Sequence, residues 1–184
     1  MMMMKTLFRL TAVLAVVACL ALWASLHSFR AFLGEDLVAV VRCEPAPDGV
    51  PYRYLVEVTQ MEGPVPGRRE KFPMSGDQWS AGGEILKWDP WLTFLGVKSR
   101  HKLTRLSSRY ETAEKEKSQP RSAYDLNGGS TPPWRWLHRW GARLPFVDAV
   151  YGNSVYVPAR PGGRWGLYVT HSGYLVRPLR RASG

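Results

Sequence analysis

Length, composition and charge limit what this chain can be. Its 184 residues carry 25 Lys and Arg against 15 Asp and Glu, which gives a formal net charge of +10 at pH 7. This positive charge favours anionic partners such as lipid headgroups, cell-wall polymers or nucleic acid. Cys19 lies in an N-terminal apolar run and only Cys43 lies beyond it, which excludes a small domain held together by disulfides.

A long apolar segment near the N-terminus is the strongest signal in the chain. Leu10–Phe29 carries no formal charge and is flanked by Arg9 and Arg30. As an α-helix it would be roughly 30 Å long, about the thickness of the hydrocarbon core of a bilayer. We therefore predict a membrane anchor over residues 1–33, followed by one folded domain over residues 34–184.

Two other interpretations of this segment stay open. A cleaved signal peptide also begins with basic residues, as here at Lys5 and Arg9, but its apolar stretch is roughly 7–15 residues and ends at small residues. The run Val16–Cys19 is similar to the lipobox of bacterial lipoproteins, yet apolar residues continue through Leu26. We favour an uncleaved anchor in which Cys19 is a small apolar helix residue.

The basic residues around the segment predict its orientation. Lys5 and Arg9 precede it, whereas Arg30 is followed by Glu35 and Asp36. Since basic flanks stay in the cytoplasm, we predict a single-pass protein of the bacterial inner membrane with a cytoplasmic N-terminus and a periplasmic domain. Membrane lipid or another envelope protein is then the expected partner, and nucleic acid is not.

Short alternating runs predict a mainly β domain of the α+β class, built as an antiparallel barrel or a sandwich. Strands are expected where β-branched and aromatic residues alternate with polar ones between turn residues. We predict a hairpin from the first two strands, a loop over Glu62–Arg69, a bulge at Gly82–Gly83, and a C-terminal meander with a turn or bulge at Gly152–Asn153. The predicted strands are Leu37–Cys43, Tyr52–Gln60, Lys71–Met74, Trp79–Trp88, Val97–Tyr110, Ala149–Tyr151, Ser154–Val157, Arg164–Thr170 and Tyr174–Arg177.

One amphipathic helix is predicted inside the domain. The segment 132–144 begins with two prolines that fit a first helical turn, and it ends before Pro145. By contrast, the charged segment Glu111–Ser122 lacks an apolar stripe and is predicted to be a loop or the exposed end of an extended hairpin. Helical spacing groups Trp134, Leu137, His138, Gly141 and Leu144 on one side and Arg135, Arg139 and Arg143 on another.

This helix is the candidate lipid-binding or partner-binding surface. Tryptophans favour the headgroup zone of a bilayer and arginines attract anionic lipid, so Trp134, Arg135, Arg139 and Arg143 suit an interfacial helix. The alternative is an ordinary amphipathic helix that packs its tryptophans on a sheet and leaves its arginines in solvent. Of the two, the sequence favours the ordinary amphipathic helix.

The sequence contains no motif that assigns an enzymatic reaction. It lacks the nucleophile elbow, the zinc-protease helix, the phosphate-binding loop and the dinucleotide glycine fingerprint. The histidines lack metal-ligand spacing, and the carboxylates are scattered, with Asp148 near Tyr151 the most suggestive pair. We therefore expect no catalytic residue, no cofactor and no metal.

Four stretches together resemble a bacterial membrane-protein family. They are Gly76–Trp88, Phe94–Tyr110, Phe146–Ala159 and Ser172–Pro178. They are similar to a family of uncharacterised bacterial single-pass membrane proteins, some of which are labelled multidrug or cation efflux pumps. The resemblance implies a membrane protein and supplies no catalytic residue. Because a pump needs several helices and polar groups inside the bilayer, a chain with one such helix would at most be an accessory subunit.

The sequence favours a non-enzymatic envelope protein that is anchored in the membrane and binds another protein or an envelope component, with an accessory role in transport as one form of this function. The alternative is a small-ligand or lipid-binding β-barrel with Trp79, Trp88 and Trp91 lining its cavity, and the third hypothesis is a membrane-tethered hydrolase. A filled interior with an exposed apolar patch would favour the first, an open barrel the second, and a carboxylate pair in a cleft the third.

Overall fold

The computed structural model describes residues 2–46, 53–126 and 132–179. These residues form a long N-terminal helix and a strand-rich domain interrupted by three short helices. The helices are α1 (Met2–Leu33), α2 (Pro90–Phe94), α3 (Ala113–Ser118) and α4 (Pro132–Trp140), the last followed by a 3-10 turn at Gly141–Arg143. The strands are β1 (Asp36–Pro45), β2 (Arg53–Glu62), β3 (Val65–Ser75), β4 (Gln78–Trp88), β5 (Arg100–Arg109), β6 (Ala123–Asp125), β7 (Val147–Pro158), β8 (Arg164–Thr170) and β9 (Gly173–Pro178).

Helix α1 contains the predicted apolar segment. Its stretch Leu7–Phe29 is long and apolar enough to cross a membrane, and none of its side chains is buried. A signal sequence would meet the same criteria of length and composition. The helix continues to Leu33 without interruption, and β1 begins at Asp36. The boundary predicted near residue 33 therefore coincides with the end of the helix.

The strands form two antiparallel sheets. A five-stranded sheet has the order β3-β2-β1-β8-β9, and a four-stranded sheet has the order β6-β5-β4-β7. Over the described ranges the sheets do not close into a barrel. The mainly β prediction with one N-terminal helix is confirmed, and of the two architectures left open the domain adopts the sandwich-like one. The predicted β1–β2 hairpin partners are also confirmed, with Val41 opposite Val58.

One hydrophobic core fills the space between the two sheets. Trp79 of β4 is fully buried and packs edge-on against Trp165 of β8, with ring centroids 5.7 Å apart. The alternation expected in β2 is present, since Tyr54, Val56 and Val58 are all buried in this core. Both sheets contribute, and the other buried members are Val38, Ala39, Val41, Cys43, Met74, Ala81, Ile85, Leu103, Leu106, Leu126, Val157, Leu167, Val169 and Tyr174.

A predicted glycine bulge allows the two sheets to approach closely. The β4–β5 register shifts between Gly82 and Gly83, as the sequence predicted. A Cβ atom on Gly83 would collide with the carbonyl oxygen of Lys102 and would lie 2.5 Å from the hydroxyl of Tyr174, which belongs to the other sheet. The Tyr174 backbone N–H also donates to Asn153 Oδ1 of β7 at 2.8 Å. Close packing here therefore requires a residue without a side chain.

Two loop predictions are wrong because they treated proline and glycine as strand breakers. Within the predicted loop Glu62–Arg69, only Gly63 and Pro64 form a turn, and β3 begins at Val65. β3 lies at the edge of its sheet, where a proline does not interrupt a second ladder. The predicted break at Gly152–Asn153 is also absent, because β7 is one strand in which these residues pair with Glu84 and Gly83.

The predicted C-terminal meander is wrong as a single unit. The β8–β9 hairpin is present and turns at Gly173, which has a φ of 146°. However, β7 belongs to the four-stranded sheet, whereas β8 and β9 complete the five-stranded one. The chain therefore crosses between the sheets after Pro158.

The predicted helix is present as α4 and the 3-10 turn that follows it, which ends at Arg143, but the domain contains two further helices. The charged segment connects the antiparallel strands β5 and β6, as expected for the end of an extended hairpin. It contains helix α3, which the Thr112 side chain caps by accepting from the Lys115 N–H at 3.4 Å. Helix α2 follows Asp89, which caps its first turn. Both helices are too short to produce a detectable 3.6-residue periodicity.

Replacement of Gly83 by alanine tests the sheet packing. We expect G83A to lower the free energy of unfolding by about 3 kcal/mol, because the backbone or Tyr174 must move to make room. The control is G152A on β7, where an added Cβ meets nothing within 4 Å. Denaturant unfolding of the full-length protein in detergent, followed by tryptophan fluorescence, measures both variants. Equal stability of the two variants would contradict the close approach described above.

Candidate membrane-facing site

Helix α4 packs on the four-stranded sheet along the predicted side. Leu137 and Trp134 are half-buried, and Gly141 is buried where α4 passes into the 3-10 turn. A Cβ atom on Gly141 would lie 2.9 Å from Val150 Cγ2 and 3.8 Å from Leu137 Cδ1. The absence of a side chain at Gly141 therefore allows this end of the helix to lie directly on β7.

The predicted surface residues of α4 divide between two environments. Arg135, Arg139 and Arg143 are exposed, as expected for the outward side. Trp134 instead lies on the inner side, and its indole N–H is buried without a hydrogen-bond partner among the described residues. Trp134 is thus a packing residue, and it does not belong to the surface that the three arginines form.

Two exposed tryptophans that the sequence analysis did not single out lie between these arginines. Trp136 and Trp140 both point away from the sheet. The guanidinium carbon of Arg143 lies 4.5 Å from the centroid of the Trp140 ring, a cation–π contact. The outer side of α4 therefore presents alternating aromatic and basic groups.

Helix α2 presents a second exposed apolar surface. The Asp89 side chain accepts from the Trp91 N–H at 3.3 Å and Pro90 occupies the first turn. Within and just after this helix, Trp91, Phe94 and Leu95 project outward. The sequence Asp-Pro-Trp carries a capping signal for this helix and directly follows the strand predicted over Trp79–Trp88.

The α2 and α4 regions meet at one end of the four-stranded sheet. Trp88, the last residue of β4, pairs with Val147, the first residue of β7. The N–H of Asp89 donates to the carbonyl of Phe146 at 3.0 Å, and the Trp88 and Phe146 ring centroids are 6.3 Å apart. The connections that carry α2 and α4 are therefore neighbours.

Together these connections form what we call the apolar patch. Its members share the two connections at this end of the sheet and have exposed fractions between 38% and 64%. Among the described residues outside α1, only Val65 and Tyr156 are other large apolar residues with comparable exposure. The apolar patch consists of Trp91, Phe94, Leu95, Val97, Trp136, Trp140 and Phe146.

The C-terminal part of α1 contacts the same end of the domain. Gly96, with a φ of 89°, lies so close to α1 that an added Cβ would be 2.8 Å from His27 Nε2. His27 itself stacks on Trp23 with ring centroids 5.5 Å apart. The connection that carries α2 is thus held against the helix that contains the apolar span.

A cavity of about 260 Å³, which we call the junction cavity, lies between α1 and the domain. At its edge Lys98 Nζ is 2.7 Å from Asp36 Oδ1, and the Lys98 carbonyl accepts from the Trp88 indole N–H at 2.9 Å. Burial, and then the nearby Lys87 ammonium, lower the pKa of His171. The cavity is lined by His27, Gly34, Asp36, Thr93, Gly96, Val97, Lys98, Ser99, Val169, Thr170 and His171.

The remaining sequence candidates do not form a site together. Trp79 is in the core, Trp88 lies at the end of β4 and Trp91 is exposed, so the three do not line one cavity. Asp148 forms an ion pair with Lys87 at 2.7 Å. Burial raises the pKa of the Cys43 thiol to about 12, so the nucleophilic thiolate is negligible at neutral pH.

No cluster of metal-binding side chains is present within residues 2–46, 53–126 and 132–179. Comparisons with known proteins add no further assignment, because no family model, no curated protein and no solved structure matches the chain. The resemblance to the bacterial membrane-protein family therefore stays a prediction. The function is then inferred from the geometry of the apolar patch and of the junction cavity.

A pair of substitutions on neighbouring residues tests the orientation of α4. L137D is expected to lower the free energy of unfolding by about 2 kcal/mol, because it introduces a charge into the half-buried contact with β7. The control W136D lies on the exposed side and should change stability by less than about 0.5 kcal/mol. Thermal and denaturant unfolding in detergent compare the two. A larger loss in W136D than in L137D would mean that α4 is rotated.

Proposed function

We propose that this protein is a non-enzymatic, single-pass membrane protein of the bacterial envelope whose domain lies on the lipid surface and serves there as a binding or accessory module. The single observation that carries the proposal is the position of the apolar patch beside the C-terminal end of the apolar span in α1. Soluble domains rarely expose a group of large apolar side chains unless another apolar phase covers them.

The contact of Gly96 with α1 indicates how deep the patch would lie in the membrane. His27 precedes Phe29, the last residue of the span, by roughly 3 Å along the helix axis. Gly96 contacts His27, so its neighbours Leu95 and Val97 lie close to the boundary between hydrocarbon and headgroups. Exposed aromatic and aliphatic side chains at this level can enter the interfacial zone of the bilayer.

The charge around the patch also suits a membrane surface. Arg135, Arg139 and Arg143 surround the two exposed tryptophans of α4. Residues 34–184 carry seven of the ten net positive charges of the chain. Each basic side chain near an anionic bilayer contributes about 1 kcal/mol of attraction at low salt. Aromatic anchoring and charge attraction would therefore act at the same surface.

A binding or accessory role is also favoured over the other two hypotheses. The space between the sheets is filled by the core around Trp79 and Trp165, which leaves no barrel interior for a ligand. The most suggestive carboxylate, Asp148, is neutralised by Lys87 at an exposed position. An accessory subunit of a transport system, as the family resemblance implies, is one form that this binding role would take.

Spin labels at matched positions test whether the patch enters the bilayer. Trp91 and Tyr156 are 54% and 53% exposed and lie at opposite ends of the four-stranded sheet. Tyr156 pairs with Ser80 and Trp91 follows Trp88, and these two residues of β4 are roughly 27 Å apart along the strand. In a C19A background, we expect a label on W91C to collide mainly with membrane-soluble oxygen, whereas one on Y156C collides with a water-soluble nickel chelate. Cys43 is buried and should not react.

The same measurement separates lipid from a protein partner. Replacing Arg135, Arg139 and Arg143 by glutamine removes about 3 kcal/mol of attraction, so oxygen access at position 91 should fall in anionic vesicles and stay unchanged in zwitterionic ones. High salt should reproduce the loss. If the W91C label is as exposed to water as the Y156C label, lipid does not cover the patch and a protein partner becomes its expected occupant.

Fusions test the proposed topology. Because Lys5 and Arg9 precede the apolar segment Leu10–Phe29 and two acidic residues, Glu35 and Asp36, follow it beyond Arg30, we propose a cytoplasmic N-terminus and a periplasmic domain. A C-terminal alkaline phosphatase fusion should be active, a C-terminal green fluorescent protein fusion should be dark, and sequencing of the mature protein should find the N-terminal segment retained. The opposite fusion results would indicate a cytoplasmic domain, and a mature terminus beyond Arg30 would indicate a cleaved signal peptide.

A further inference from the structure

The junction cavity combines an unpaired buried hydroxyl, an ion pair and a wall formed by the apolar span. Thr93 is 3% exposed, lines the cavity, and its hydroxyl has no hydrogen-bond partner among the described residues. A buried hydroxyl without a partner is unfavourable, because it has lost its hydrogen bonds to water. A polar occupant of the cavity that reaches this part of the wall would supply the missing hydrogen bond.

The charges at the cavity match a zwitterionic ligand. Lys98 and Asp36 contribute one ammonium and one carboxylate, and these side chains are 71% and 50% exposed although their charged atoms are 2.7 Å apart. Exposed ion pairs of this kind are held weakly and can separate at little cost. When they separate, Lys98 can bind a phosphate and Asp36 can bind an ammonium group.

The position of the cavity indicates where such a ligand comes from. One wall is His27, which belongs to the apolar span Leu7–Phe29, so the cavity lies at the level of the lipid headgroups. Its volume of about 260 Å³ corresponds to roughly nine water volumes, enough for a small headgroup and too little for an acyl chain as well. The acyl chains of a bound lipid would then stay in the bilayer beside α1.

We propose that the junction cavity binds the phosphoethanolamine headgroup of one membrane lipid, with the phosphate at Lys98, the ammonium at Asp36 and a hydrogen bond to the Thr93 hydroxyl. This inference rests on that part of the proposed function which keeps α1 in the membrane. Phosphoethanolamine fits better than phosphocholine, because its ammonium group can donate hydrogen bonds to the Asp36 carboxylate. The bound lipid would fix the angle between the domain and α1.

Native mass spectrometry of the full-length protein in detergent tests this assignment. We expect phosphatidylethanolamine to bind saturably with one molecule per chain, and phosphatidylcholine and phosphatidylglycerol to bind more weakly. Free phosphoethanolamine and inorganic phosphate distinguish a lipid from a soluble source of the same chemistry, and neither should bind at the concentrations that saturate the lipid. Equal binding of free phosphoethanolamine would overturn the assignment to a lipid.

Three variants test the residues. K98Q should weaken phosphatidylethanolamine binding about tenfold or more, as for a lost charge-assisted hydrogen bond. T93V should weaken it about fivefold without lowering stability in the absence of lipid, since valine keeps the shape of threonine. The control is K71Q, because Lys71 forms an ion pair of the same 2.7 Å length with Glu44 away from the cavity. Equal binding by K98Q and K71Q would overturn the proposal.

The two proposals can fail separately. The spin-label measurement at position 91 reports on the apolar patch and involves no residue that lines the cavity. A membrane-immersed label together with no saturable lipid binding would overturn the cavity assignment alone. A water-exposed label together with stoichiometric, Lys98-dependent lipid binding would overturn the surface contact of the patch and leave the cavity assignment standing.

Discussion

The contact between His27 and Gly96 determines how α1 is positioned against the domain. His27 belongs to the apolar span of α1, and Gly96 belongs to the connection between β4 and β5. Only a glycine fits there, because the φ of 89° is strained for other residues and a Cβ would press on the imidazole. Since β4 is a central strand, a connection fixed against α1 also fixes the four-stranded sheet. If α1 spans a membrane, as we propose, the end that carries α2 and α4 faces the bilayer.

The distribution of aromatic residues agrees with this geometry. Trp79 and Trp165 lie in the core, so the interior of this domain accommodates large aromatic side chains. Trp91, Trp136 and Trp140 nevertheless lie outside it, all at the end of the four-stranded sheet that carries α2 and α4. Indole rings are favoured where an apolar phase meets water, because the ring is apolar and its N–H still finds a polar partner. In water the apolar ring stays exposed to solvent, whereas in the headgroup zone the ring contacts apolar groups and the N–H contacts polar ones.

Features of the fold and the site that adjacent residues mark can be predicted from the sequence, whereas features that depend on the assembled sheets cannot. The bulge at Gly82–Gly83 was predictable because two adjacent glycines mark it. The strand around Pro66 was not, since a proline is tolerated only where the strand lies at an edge, and edge position is a property of the assembled sheet. Asp89 carried a local cap signal for α2 that its short length obscured. The patch itself was beyond prediction, because the connections that carry Trp91 and Trp136 reach the same end of the sheet only through the pairing of β4 with β7.

Helix α4 has apolar residues on two sides, although an ordinary surface helix needs only one apolar side. Its inner side, with Trp134 and Leu137, already satisfies that need by packing on β7. The outer side carries Trp136 and Trp140 among arginines, and the fold of this chain gives these two rings no role. Large exposed apolar groups are usually covered by another surface, and we propose that a membrane surface covers these two rings. The arginine beside Trp140 suits the headgroup region of such a surface, where its guanidinium stays hydrated while the ring contacts apolar groups.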